Sequence, residues 1–114
     1  MTPAEKVIFI RQKAKEHVPY NNEKILWSLH AVKKLRNESL RKKEVENALK
    51  SCEIIEDYQG EGRPLPDCLV LGFIGVVPLH IVTAVDMDTD RIIVVTVYKP
   101  HDARWKDGWR KRKN

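Results

Sequence analysis

The spacing of apolar residues changes once along this chain, at Cys52, and that change limits the folds open to it. Before Cys52, Val7, Ile10, Ala14 and Val18, then Leu29, Val32 and Leu35, then Val45, Ala48 and Leu49 recur at intervals of three and four. That is the spacing of helices that bury one face. After Cys52 the period falls to two. Residues 53–59 and 67–75, then LHIVTAVD and RIIVVTVY, read as strands, the last two rich in β-branched residues. Helices grouped ahead of strands predict an α+β domain, not an alternating α/β one. The expected architecture is N-terminal helices packed on one face of a four-stranded antiparallel sheet, with the other face open to a ligand.

Local signals set the boundaries. Thr2 is a helix cap with Pro3 at the first helical position, and Pro19 ends that helix. Asn21 and Asn22 form a turn, and Ile25 to Trp27 read as a short extended stretch. Ser28 is placed to cap a second helix and Ser39 a third, the two making a hairpin. The segment GEGRPLP, residues 60–66, separates the first two strands, and Pro78 starts the third. With 114 residues and no repeat or long linker, residues 1–114 form one domain, its last part a basic tail at 99–114.

Several classes are set aside by composition. No apolar run approaches the roughly 18–20 residues that cross a bilayer, so no membrane association is expected. The first residues lack the apolar stretch and cleavage site of a signal peptide, which makes a cytoplasmic location the expectation. Cys52 and Cys68 start neighbouring antiparallel strands at opposite ends of the pair, so free, half-buried thiols are expected. The net charge is +5, and Met1 to Tyr98 contain fourteen basic and fourteen acidic residues. The excess therefore lies in KPHDARWKDGWRKRKN, with seven basic residues against two acidic. A lesser cluster joins Lys33, Lys34, Arg36, Arg41, Lys42 and Lys43. Such clusters favour polyanions or simply keep a surface solvated.

Three fragments carry a family resemblance. They are Ser28-x-His30-Ala31 at the start of a helix, the strand Pro78 to Val82 (PLHIV), and Thr96 to Pro100 (TVYKP) followed by Trp105. Their order and spacing resemble the bacterial domain-of-unknown-function 4258 family, over roughly residues 25–112. That family resembles the RelE-like and BrnT-like toxins, small ribonucleases of toxin–antitoxin pairs. The resemblance implies a RelE-like fold and a bacterial, toxin-type protein. RNA and an acidic, antitoxin-like protein are the partners it implies. The family pattern carries arginines shortly after the His-Ala pair, where this chain has Lys34, with Arg36 displaced. Lysine neutralises a phosphate but lacks the bidentate fork.

Metal-independent RNA cleavage needs a base for the 2′-hydroxyl, cations for the phosphate and an acid for the leaving oxygen. The candidate catalytic residues are His30, His80, Lys34, Arg36 and Tyr98. His30 stands in the first turn of its helix, where the positive helix end favours a neutral imidazole. His80 faces away from Leu79 and Ile81. A three-residue loop at Asp88 to Asp90 would set His80 opposite Tyr98. A two-residue loop at Asp88-Thr89 would set it opposite Val97. The candidate RNA-binding residues are Arg104, Trp105, Trp109, Arg110 and Arg112, since arginines take phosphates and indoles stack on bases. Trp105 equally suits packing back on the sheet. Asp86, Asp88 and Asp90 imitate a calcium loop, but Arg91 and Val97 stand where glycine and glutamate belong. No zinc spacing and no phosphate-binding glycine motif is present, so no metal or cofactor is expected. Two alternatives to an endoribonuclease stand beside it: a non-catalytic RNA-binding module and a protein-interaction module. The oligomeric state is not legible.

Overall fold

The computed structural model describes residues 1–59 and 62–114. Part of the GEGRPLP turn, residues 60 and 61, lies outside the described residues. Helix α1 (Pro3–Glu16) opens with a reciprocal cap. Thr2 Oγ1 accepts the Glu5 N–H at 3.1 Å, and the Glu5 carboxylate accepts the Thr2 N–H at 2.8 Å. Strand β1 (Ile25–Trp27) runs directly into α2 (Leu29–Asn37), where Ser28 Oγ accepts the Ala31 N–H at 3.0 Å. Helix α3 (Lys42–Ala48) ends in a 3₁₀ turn at Leu49–Ser51. Strands β2 (Glu53–Tyr58), β3 (Asp67–Ile74), β4 (Val77–Asp86) and β5 (Arg91–Tyr98) follow. The chain closes with a small hairpin of β6 (Trp105–Lys106) and β7 (Lys111–Arg112).

The main sheet has five strands in the order β1–β5–β4–β3–β2, and it is mixed, not purely antiparallel. This corrects the four-stranded expectation. The stretch Ile25–Trp27 pairs parallel with β5, Ile25 opposite Ile92 and Trp27 opposite Val94. A three-residue strand is too short to display a period, and its distant partner leaves no hairpin signal. The tail is also not a free extension. It forms a separate two-stranded sheet, with Trp105 opposite Arg112 and Lys106 opposite Lys111.

One face of the main sheet carries the core. Val7, Ile10 and Ala14 of α1, Ala31 of α2, and Val45 and Ala48 of α3 pack there against strand side chains. The strands answer with Cys68, Val70, Leu79, Ile81, Val85, Ile92, Val94 and Val97. Each fully buried aliphatic side chain contributes on the order of 1.5–3 kcal/mol. Gly72 admits α3: a Cβ there would lie 3.1 Å from Ala48 Cβ. Both cysteines are free, as expected, but fully buried.

Three local expectations are corrected. Leu29 and Val32 are exposed, and α2 turns Ala31 inward beside the expected Leu35, because the helix lies on β5, next to the edge strand β1. Val18 lies beyond α1 and is exposed. Ser39 takes a left-handed turn with φ 55°, and α3 is capped two residues later, at Arg41. There the Glu44 carboxylate accepts the Arg41 N–H at 3.0 Å.

Two bulges interrupt the ladders. Ile54 pairs with Val70 and Glu56 with Leu69, so Ile55 is the extra residue of β2. Val82 pairs with Thr96 and Thr83 with Val94, so Val95 is the extra residue of β5. The second bulge resolves the hairpin register in an unforeseen way. The tight turn is closed by the Asp90 N–H on the Met87 carbonyl at 3.3 Å. From Asp86–Arg91 to Thr83–Val94 the register is that of the two-residue loop. Beyond Val95 it shifts by one and sets His80 opposite Tyr98.

Candidate functional site

The bulges assemble a polar surface on the sheet face away from the helices. Residues directly opposite one another share a face. One row across four strands reads Glu53, Leu71, His80, Tyr98, and the next reads Glu56, Leu69, Val82, Thr96. Without the extra residues at Ile55 and Val95, alternation would throw Glu53 and Glu56, or Thr96 and Ile93, to different faces.

The β6–β7 hairpin straps this face. Trp105 is 5% exposed, and its ring stands edge-on to His80 with centroids 4.2 Å apart. Two bidentate ion pairs fix the strap to β2. Arg110 reaches Glu53 at 2.6 and 3.0 Å, and Arg112 reaches Glu56 at 2.7 and 3.0 Å. The Arg112 guanidinium also lies 4.8 Å over the Trp105 ring. These partners hold both glutamates below the usual carboxylate range, the arginine hydrogen bonds being the main cause.

His80 is enclosed beneath the strap. Its Nε2 lies 2.8 Å from the Trp109 carbonyl oxygen. A carbonyl only accepts, so Nε2 carries the proton and the neutral ring turns a bare Nδ1 to the Tyr98 hydroxyl at 3.2 Å. Burial pushes His80 below its ordinary pKa, partly offset by the Trp109 carbonyl and Glu56. Burial likewise raises Tyr98. Near neutral pH the pair is therefore a neutral imidazole accepting from a neutral phenol. Tyr98 also opens on a groove of about 370 Å³, whose lining includes Glu38, Lys99, His101 and Arg104.

The expected residues divide into three groups. His80, Tyr98 and Trp105 meet directly, with Trp109 contributing its backbone. His30 is exposed at the start of α2 and reaches the same face, its Nε2 3.0 Å from Thr96 Oγ1. Lys34 Nζ stands 4.0 Å from Glu38, a residue of the groove's lining that also accepts the Lys99 N–H at 3.0 Å. Arg104 lines the groove and forms no ion pair among the described residues. Arg110 and Arg112 are engaged with the sheet glutamates, and exposed Arg36 is not brought to His80. Sequence reasoning missed Glu53, Glu56, Thr96, Glu38 and Lys99. Thr96 stood two residues from Tyr98, and that spacing was its available signal. Among the described residues no cluster of three or more metal-ligating side chains occurs. No described helix is long and apolar enough to cross a membrane.

Fold and face together define a small α+β domain whose strapped histidine–tyrosine pair borders a groove lined by Lys99, His101 and Arg104. The chain belongs to the family described as Domain of unknown function (DUF4258), whose model matches residues 27–99. That span runs from Trp27, the last residue of β1, through Lys99, so α1 and the strap lie outside it. No curated protein and no solved structure matches the chain.

Proposed function

We propose that this protein is a small RNA-directed domain of RelE/BrnT-like toxin type that cleaves single-stranded RNA without a metal. The observation that carries the reading is the tautomer of His80. Its Nε2–H is held by the Trp109 carbonyl, which leaves Nδ1 to accept from Tyr98, and Tyr98 opens on a cationic groove. A base oriented by a third group and in contact with a hydroxyl is the arrangement that activates proton transfer. In this reading the phosphate sits among Lys99, Arg104 and Lys34. Tyr98 takes the 2′-hydroxyl proton while passing its own to His80 Nδ1. The 2′-oxygen bonds to phosphorus as the P–O5′ bond breaks, giving a cyclic phosphate, and His30 in its protonated form, across the face, gives its proton to the leaving 5′-oxygen. The three sequence fragments resemble the domain-of-unknown-function 4258 family, and that family's resemblance to ribonuclease toxins supports the same substrate class.

The test is cleavage of labelled single-stranded RNA with chelator present. Tyr98→Phe and His30→Ala are each expected to slow it about 10²–10⁴-fold. Intact RNA at any protein concentration, or wild-type rates in both variants, would sink the proposal. One observation favours a second reading, non-catalytic RNA binding: His80 is wholly buried under Trp105. That reading expects salt-sensitive binding without turnover, weakened by Arg104→Glu.

A further inference from the structure

A second surface lies on the helix side of the sheet edge, away from the His80 face. Two adjoining hollows of about 400 and 310 Å³ share His17, Pro19, Lys42 and Glu46. The first continues to Lys43 and Lys50, and the second runs along β1 to Tyr20 and Val32. The structure builds this trough deliberately. His17 Nδ1 accepts the backbone N–H groups of Lys24 and Ile25 at 2.9 and 3.2 Å, so its Nε2 carries the proton and turns toward Glu46, 3.6 Å away. Glu46 also accepts from Trp27 Nε1 at 2.9 Å. The floor is therefore fixed, and its polar groups are partnered.

The rim is different. Tyr20 is 95% exposed and sits in the left-handed region at φ 68°. The turn that holds it is closed by two backbone hydrogen bonds between Val18 and Asn22. Val32 is an exposed apolar residue on the same trough. Lys42, Lys43 and Lys50 are exposed and form no ion pair among the described residues; Lys42 Nζ lies 5.7 Å above the Trp27 ring.

The edge strand adds a third element. The Ile92 N–H bonds to the Lys24 carbonyl and the Ser28 N–H to the Val94 carbonyl, so the intervening Ile25 and Trp27 turn their backbone groups away from β5. Among the described residues no strand covers that side; the Ile25 N–H there is held by His17 Nδ1, and the Ile25 carbonyl and the Trp27 backbone groups face outward. A partly open strand edge, a floor whose polar groups are already partnered, exposed Tyr20 and Val32, and a lysine rim match one kind of occupant. We propose that the trough binds an extended, acidic and partly apolar segment of a partner protein, laid along the outer edge of β1 beside the Trp27 backbone. Its backbone would pair with the edge, its apolar side chains would enter the hollows, and its carboxylates would meet the lysines. RNA fits less well, because a strand edge offers amide-spaced backbone donors and acceptors that a polypeptide matches and a phosphodiester chain does not.

The proposal does not depend on the chemistry of the His80 face. Selection of a random twelve-residue peptide library on the intact protein tests it. Enriched peptides should mix acidic and apolar residues, and binding should shift the Trp27 indole resonance. The triple substitution Lys42→Glu, Lys43→Glu, Lys50→Glu should weaken such a peptide at least tenfold, with an unchanged circular dichroism spectrum. Arg104→Glu, on the other face, should not. The proposal is overturned by failure to enrich peptides or by enrichment of basic ones. It is also overturned if charge reversal spares the peptide, or if it abolishes RNA binding instead.

Discussion

The two faces of the main sheet are built from opposite materials. On the helix side, Val70, Leu79, Ile81, Ile92 and Val94 meet three helices in one continuous apolar layer. On the other side His80, Tyr98, Thr96, Glu53 and Glu56 share their face with a few aliphatics, and the cover there is a short hairpin. The first face gains stability by excluding water over a large area. The second is held by one indole, one carbonyl and two ion pairs, so its stability is local and conditional. A domain can open the second face without losing the first. The difference suits a division of labour, in which one face keeps the fold and the other is free to work.

Truncating the core should have the largest effect. Ile81→Ala removes a fully buried side chain from the helix face. It should cost about 3–4 kcal/mol in a denaturant titration, with all probes moving together. Trp105→Ala should cost less, about 2–3 kcal/mol, because a hairpin can relax where a core cannot. It should also raise amide exchange in β6, β7 and around His80, while Leu79 and Ile81 stay protected. If exchange rises equally on both faces, the faces are one cooperative unit and the comparison fails.

The contrast explains what was legible in the sequence. The helix face was readable because burial imposes a period, and Val7, Ile10, Val45, Ala48 and Leu49 stood at that period. The functional face was not, because it depends on two residues that break the period. Ile55 and Val95 each add one position, and only after both additions do Glu53, Glu56, His80, Thr96 and Tyr98 align. Both loop lengths considered for the hairpin were partly right, each on one side of the Val95 bulge. Alternation alone carries no mark of a bulge when the extra residue is as apolar as its neighbours. The basic tail was legible as charge but not as structure. Its arginines find Glu53 and Glu56, residues distant in sequence, and the balanced composition of the domain hid that pairing.

Acid should separate the faces next. The Arg110 and Arg112 hydrogen bonds lower the folded pKa of Glu53 and Glu56. Their contribution is therefore present above the unfolded carboxylate value and is lost as pH falls through the lowered folded values. Burial lowers His80, so the unfolded chain binds its proton first. That contribution begins to disappear as pH falls below about 6.5. Both act in one direction, and the strap should loosen in acid before the helix core melts. Tryptophan fluorescence should report an early transition on acidification, absent in Trp105→Phe, followed by a later loss of circular dichroism. A single coincident transition would mean that the strap has no independent equilibrium.

The smallest effect belongs to the clasps themselves. Glu53, Arg110 and Arg112 are exposed enough that water and salt screen them, while Glu56 is partly sheltered. Exposed pairs contribute about 0.2–1 kcal/mol. Arg110→Ala should therefore change global stability by less than about 1 kcal/mol, and Arg112→Ala by slightly more, because Arg112 also lies on the Trp105 ring. Raising the ionic strength should shrink the Arg110 effect further and spare the part of the Arg112 effect that comes from stacking. Arg112→Lys separates the two contributions. Lysine keeps the charge beside Glu56 but loses the planar face and the two-point contact. Its strap should open more readily than wild type at high salt, read as faster amide exchange at Trp105. Equal exchange rates would show that charge alone holds the strap, and that the indole is covered for reasons unrelated to Arg112.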